Sequence, residues 1–206
     1  VYYAGIDPSL PFNLRESAHA FTTEAVAMLL GALARSPGWL ERYAGIPREQ
    51  LAPFEPQLLE QRRREQLIFV RWGLVMLHFE RALYADPDQD LDQLWYQLVA
   101  RFQLLRTPEG RAGRGDWAAK PHFTIAPVYY HNYVLGELYA AQLRAHLSRP
   151  AGSQAPASDF ALSGDGLGAF LRDRVFAPGM TLGWPQLVEA STGVPLSPAA
   201  FAAEVK

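Results

Sequence analysis

Between Lys120 and Tyr133 the chain reads KPHFTIAPVYYHNY: one lysine, two histidines and three tyrosines in fourteen positions, in a sequence of which only 19% of residues are charged. Pro121 keeps Lys120 out of the α region, so Lys120-Pro121-His122 is expected to be extended. Residues two apart in an extended segment point the same way, which puts Lys120 and His122 on one face. Pro127 can open a helix, and Tyr130 and Tyr133, three apart, then lie side by side on its first turns. An ammonium, an imidazole and two phenols converging on one volume suit a carboxylate and a developing oxyanion. The same residues can also be amphipathic core edges beside a solvated lysine, and on this stretch alone both readings stand.

A second place for chemistry is AHAFTTEAVAMLLGALA. From Phe21 to Ala34 the one formal charge is Glu24, and the positions sharing its helical face, 20, 27, 28 and 31, are Ala, Ala, Met and Gly. A carboxylate among packed apolar neighbours costs several kcal/mol when unpaired, so Glu24 is expected to have a partner. That partner is either an arginine from another helix or a metal ion, with the oxygen ligand presented from a rigid helix. Elsewhere, EQRRREQ at 60–66 reads as the solvated face of a long helix and His78 as a satisfied core histidine. SGDGLG lacks the strand-then-helix setting of a nucleotide loop and reads as a turn.

These side chains need a scaffold, and the sequence offers helices with Gly/Pro punctuation between them. Helical spacing is expected over 21–35, 57–84, 90–106, 128–147 and, after the low-complexity loop RPAGSQAPASD, 159–174. Two short helices follow, WPQLVEAST and SPAAFAAEV, the latter with Ser197 as N-cap and Pro198 at the first helical position. The only plausible extended pieces are VYYAG and PHFTI. The expected fold class is mainly α, with little or no β.

With 206 residues, 49% of them hydrophobic, the chain can bury a substantial core as one globular unit or a large piece of one. A net charge of −2 and a pI near 6.2 leave no basic excess for a phosphate backbone, so no nucleic-acid partner is expected. The absence of cysteine excludes disulfides, thiolate catalysis and cysteine-bound zinc, and leaves the compartment open. The longest mostly apolar run, Ala25 to Ala34, is too short to span a bilayer, and no targeting signal is recognisable. A chain that opens on Val1 is expected to have been cut from something longer.

The segment SLPFNLRESAHAFTTEA resembles part of the angiotensin-converting-enzyme family, the helical zinc peptidyl-dipeptidases. Leu10-Pro11, Leu14-Arg15-Glu16 and Glu24 are in the family's register. In that family an HExxH helix brings two histidine ligands and a glutamate base, and a later helix donates a glutamate as the third zinc ligand. The resemblance implies that Glu24 is that ligand and that HExxH lies just before Val1, outside this chain. The family's Lys-x-His and Tyr-x-x-Tyr pattern is matched by Lys120, His122, Tyr130 and Tyr133, with one residue inserted between His122 and Tyr130. By resemblance, Lys120 and Tyr130 hold the C-terminal carboxylate of an oligopeptide substrate, His122 bonds its backbone carbonyl, and Tyr133 stabilises the tetrahedral oxyanion. The tail GMTLGWPQLVEASTGVPLSPAAF is also similar to the family's closing segment, whereas 36–90 is only weakly so.

Departures qualify what the resemblance implies. Val99 and Asn132 stand where chloride-dependent members carry arginines, so chloride activation is not implied. Met28 replaces a common aspartate one turn beyond the zinc glutamate, Thr23 replaces a histidine, and Glu137 falls at an aromatic pocket position. The expectation is the C-terminal part of the catalytic domain of a zinc peptidase, of carboxypeptidase or peptidyl-dipeptidase type, inactive alone because three protein ligands are usual in a catalytic zinc site. The alternative is a non-catalytic helical binding or scaffold fragment in which such a site has decayed.

Overall fold

The computed structural model describes residues 1–148 and 164–206. Among them there is no strand, and the fold is mainly α, as expected. The loop RPAGSQAPASD and residues 159–163 of the fifth expected helix lie outside the described residues. The helices are α1 (Ala20–Leu33), α2 (Pro37–Ala44), α3 (Arg48–Leu51), α4 (Glu55–Ala85), α5 (Leu91–Gln103), α6 (His131–Leu147), α7 (Gly164–Phe170), α8 (Trp184–Thr192) and α9 (Ala199–Glu204). A π-helical stretch, Leu171–Phe176, follows α7.

The chain divides into two compact units, Val1–Glu60 with Leu135–Lys206 (unit 1) and Gln61–Val134 (unit 2). In unit 1, α1 sends Phe21, Ala25 and Leu29, each one turn after the last, into a core with Tyr139, Ala140 and Leu143 of α6, Val175 and Phe176 of the π stretch, and Val188 of α8. Gly136 permits close packing of α6 on α1: a Cβ there would lie 3.0 Å from Glu24 Cβ and 3.2 Å from the Ala25 nitrogen. Unit 2 is built on aromatic rings. Fully buried Phe79 meets Trp95 edge-on at 5.2 Å and Phe123 at 4.9 Å, and such pairs add ~0.5–1.5 kcal/mol each to the burial term.

Several expectations need correcting. VYYAG and PHFTI are not extended: Tyr3–Gly5 and Pro121–Phe123 are 3-10 turns, and Lys120, just before the latter, keeps extended backbone, with φ −88° and ψ 110°. The fourth expected helix starts at His131 rather than 128, because Val128 adopts φ 54°, a left-handed conformation no helix accepts. The first expected helix does end before Ser36, with α1 stopping at Leu33, but an unexpected helix α2 follows at once, where the Ser36 hydroxyl accepts from the Trp39 N–H at 3.3 Å and proline occupies the first turn. Gly164 to Gly168 of SGDGLG belong to α7 and are not a turn. By contrast, α8 coincides with WPQLVEAST, closed by Gly193 at φ 81°.

Candidate functional site

Unit 2 brings Lys120, His122, Tyr130 and Tyr133 together, though not by the predicted route. Pro121–Phe123 curls into a 3-10 turn, and Lys120 and His122 meet different partners. The Lys120 ammonium lies over the Trp72 ring at 5.3 Å and the Trp95 ring at 5.9 Å, both within cation–π range. The two indoles pack edge to face at 5.6 Å, so they form a corner with the ammonium against it.

His122 faces the other two members. Its ring packs edge-on to Tyr130 at 4.8 Å and Tyr133 at 5.6 Å, and the Tyr130 and Tyr133 rings are 5.1 Å apart. Tyr129 adds a fourth ring, 5.4 Å from Tyr133. His122 Nε2 and the Tyr133 hydroxyl are hydrogen-bonded at 3.3 Å. With a proton on Nε2 the imidazole donates and the phenol keeps its own O–H for another acceptor; with Nε2 bare the phenol gives its O–H to the ring. Burial pushes the Tyr130 phenol above its ordinary value, so it remains a neutral O–H donor across the physiological range.

The turn leading into α6 is held from below by Glu80 of α4. Glu80 is 6% exposed, and its carboxylate accepts the backbone N–H of Val128, the β-branched residue forced to positive φ. Left-handed backbone at such a residue costs ~1–2 kcal/mol, which this charge-assisted bond helps offset. Gly73 on α4 gives the start of α6 room: a Cβ there would lie 2.4 Å from Val134 Cγ2. Sequence reasoning does not identify Trp72, Trp95, Glu80 or Tyr129 as members of this site. Their side chains acquire meaning only once α4 and α5 are packed, although an isolated Trp72 on a helix with Phe79 seven residues on marks that face.

Glu24 lies on α1 in unit 1 and differs from its expected setting. It is half-buried, and on the face it shares, Ala27 and Gly31 are exposed while Ala20 and Met28 are half-buried. The core-facing residues of α1 are instead Phe21, Thr22, Ala25, Val26, Leu29 and Leu33. Small apolar residues need little burial to be stable on a helix surface, which is why composition overstates the enclosure of this carboxylate. Met28 packs against the unit 1 core. His19 caps α1, its Nδ1 accepting from the Phe21 N–H at 3.4 Å. Among the described residues no group of three or more His, Cys, Asp or Glu side chains could hold a metal ion, so Glu24 would be one residue of a ligand set completed from elsewhere.

Three other positions singled out in the sequence, Glu137, Val99 and Asn132, are buried. Glu137 is buried and bonded to Arg144 Nη2 at 2.6 Å, and Arg144 in turn grips Glu204 through Nε and Nη2, both at 2.8 Å. Val99 is part of the unit 2 core. Asn132 is 4% exposed, and its Oδ1 has no partner among the described residues. No helix among the described residues is long and apolar enough to cross a membrane. No protein-family model matches the chain, and no curated protein matches it.

Proposed function

We propose that the chain is the C-terminal part of a zinc-dependent peptidase that hydrolyses peptide bonds near the C-terminus of oligopeptides, as a peptidyl-dipeptidase or carboxypeptidase. The observation that carries this reading is the packing in unit 2 of His122, Tyr130 and Tyr133, with ring centroids 4.8–5.6 Å apart and a 3.3 Å His122–Tyr133 bond, together with Lys120 resting on the Trp72 and Trp95 rings. The resemblance of these residues, and of the segment around Glu24, to the angiotensin-converting-enzyme family gives the cluster its chemistry.

Glu24 fits the group as one ligand, and two histidines from an HExxH helix outside this chain would complete the set. Zinc held there supplies Lewis-acid polarisation of the scissile carbonyl. The chain's own residues do the rest. Lys120 and the Tyr130 O–H bind the substrate's terminal carboxylate, an ammonium and a neutral phenol both being donors to an anion. The Tyr133 O–H stabilises the oxyanion, and this requires that His122 not take that proton. A peptide carbonyl accepting the His122 Nε2–H would fix the proton-bearing tautomer and release Tyr133 for that role.

The test is release of C-terminal dipeptides from an N-blocked peptide by this chain together with its HExxH-bearing segment, alongside zinc content. Tyr133→Phe should lower kcat by ~10²–10³ with KM little changed, the loss usual for an oxyanion donor. A Tyr133→Phe protein as fast as wild type removes the oxyanion role. Absence of zinc-dependent release from the joined protein leaves the non-catalytic scaffold as the better reading.

A further inference from the structure

Two consecutive residues of α4 reach the two segments that supply the cluster. The Phe79 ring packs on Phe123, the neighbour of His122, at 4.9 Å, and the Glu80 carboxylate accepts the N–H of Val128, two residues before Tyr130. The first contact is kept by burial, Phe79 being fully enclosed. The second holds a conformation that the chain does not adopt by preference. Val128 stands at φ 54°, where a β-branched side chain crowds its own backbone, and the residue is 61% exposed, so packing does not keep it there. Nor does the segment before it: the N–H groups of Thr124, Ile125 and Ala126 turn back on the Pro121 carbonyl at 2.7–3.2 Å and close that loop on itself. Val128 is where the loop is tied to α4. Immediately after it, the Tyr129 and Tyr130 carbonyls accept the N–H groups of Asn132 and Tyr133, at 2.9 and 3.2 Å, and α6 begins. The backbone angle at Val128 therefore governs how the chain enters α6, and with it where Tyr130 and Tyr133 stand relative to His122.

We propose that Glu80 is a positioning residue: by fixing Val128 in the left-handed conformation it sets the distance of Tyr130 and Tyr133 from His122, and through it the capacity of the cluster to receive a peptide C-terminal carboxylate. Its part in recognition rests on the carboxylate-binding reading of the cluster; its part in ring geometry does not. Glu80 lies where similarity to the peptidase family is weak. Desolvating a carboxylate is costly, but a charged acceptor makes a hydrogen bond roughly twice as strong as a neutral one does, and a strained turn with little packing of its own requires such a bond.

A double-mutant cycle on the 206-residue chain tests this, because glycine adopts positive φ without help. If Glu80 acts through the backbone of Val128, Val128→Gly makes it dispensable; if Glu80 is only a buried acid, Val128→Gly does not. With histidine and tyrosine rings protonated in a deuterated chain, signals are assigned by their loss in His122→Gln, Tyr130→Phe and Tyr133→Phe. Nuclear Overhauser contacts between the His122 ring and the two tyrosine rings are then measured. Glu80→Leu should lose most of their intensity, Glu80→Gln, which keeps an acceptor oxygen, should retain it, and Glu80→Leu combined with Val128→Gly should regain it. In parallel, N-acetyl-Ala-Ala-Ala and its C-terminal amide are titrated calorimetrically. The wild-type preference for the free acid should fall about five- to tenfold in Glu80→Leu, the usual consequence of one lost hydrogen bond, and return in the double variant. If circular dichroism shows Glu80→Leu to be misfolded, 2-hydroxyisovaleric acid at position 128 replaces it, removing the N–H alone, with glycolic acid at that position as the rescue. Ring contacts that survive loss of the Glu80 bond, or that are lost and not regained in the double variant, overturn the positioning role. An acid preference unchanged by Glu80→Leu overturns Glu80's part in recognition and leaves the carboxylate site standing. No preference in wild type overturns the carboxylate site and that part with it, and the ring contacts still decide whether Glu80 positions the tyrosines.

Discussion

Arg144 in unit 1 and Lys120 in unit 2 are both drawn out of bulk water, but by neighbours of different kinds. Arg144 is 2% exposed and is met by two carboxylates, with a single bond to Glu137 and a forked one to Glu204. Its charge is more than cancelled, its geometry is fixed, and only Nη1 has no partner among the described residues. Lys120 is half-buried and lies against the faces of two indoles. A carboxylate neutralises a cation and ends its search for partners; a ring quadrupole steadies it and leaves the charge exposed to an anion. The first arrangement closes a core, and the second leaves a group able to bind.

The contrast can be broken most forcefully at Arg144. Arg144→Met removes the cation and leaves Glu137 and Glu204 facing each other in a largely buried space, which should cost roughly 3–5 kcal/mol of stability, the penalty for breaking one side of a buried ion pair. Urea unfolding followed by far-ultraviolet circular dichroism measures it. Combining Arg144→Met with Glu137→Leu and Glu204→Leu in one triple variant should recover most of that loss, because the penalty lies in the orphaned charges. A single variant as stable as wild type would mean that the triad is incidental.

Much of the architecture is legible because local chemistry and tertiary packing agree. In WPQLVEAST the proline in the first turn and the glycine at the left-handed stop delimit α8 without reference to its neighbours. The errors fall where tertiary contacts override the local signal. Pro127 suggests a helix from 128, yet Val128 is held at positive φ by the Glu80 carboxylate, forty-eight residues away. The four residues of the candidate site are legible by type and spacing, but alternation in an extended strand is not what brings Lys120 near His122. Lys120 is instead seated on Trp72 of α4 and Trp95 of α5, which cannot be connected with it before the helices are packed. Glu24 is singled out by being the sole charge on α1, whereas its degree of enclosure is misjudged because alanine and glycine carry almost no information about burial.

A second way to sharpen the comparison uses the buried phenols of the two units. Burial raises Tyr139 and Tyr2 in unit 1 and Tyr130 in unit 2 above the ordinary tyrosine value, and Tyr139 most strongly. Each folded-state value exceeds the unfolded one, so the stabilising contribution is complete below about pH 10 and is lost as pH rises through the folded-state values, where the unfolded chain has released its protons first. Tyr139→Phe should therefore be less stable by ~1 kcal/mol at neutral pH, through loss of its 2.8 Å bond with Ser191, yet should decline less steeply above about pH 10. Tyr130→Phe should flatten the alkaline limb less, its hydroxyl being only partly enclosed. Equal flattening in the two variants would show that the phenols are desolvated alike and that the contrast between the units does not extend beyond the cations.

The smallest stability change is expected at Lys120, and its smallness is what gives the result meaning. Lys120→Met keeps an unbranched chain long enough to cover the same indoles, so it loses only the cation–π term, ~0.5–1 kcal/mol at a partly exposed position. A residue whose purpose is structural should cost as much as the Arg144 substitution, whereas one held ready for a ligand should leave folding almost unchanged and abolish the preference for a free C-terminal carboxylate over its amide. Unfolding and peptide titration on the same protein separate these cases. A loss of several kcal/mol would place Lys120 in the same class as Arg144 and remove the physical basis for assigning it to a substrate. A near-neutral effect on folding with loss of acid-over-amide preference would show that a cation resting on aromatic faces is kept available, because the rings that position it leave its charge for the ligand to satisfy.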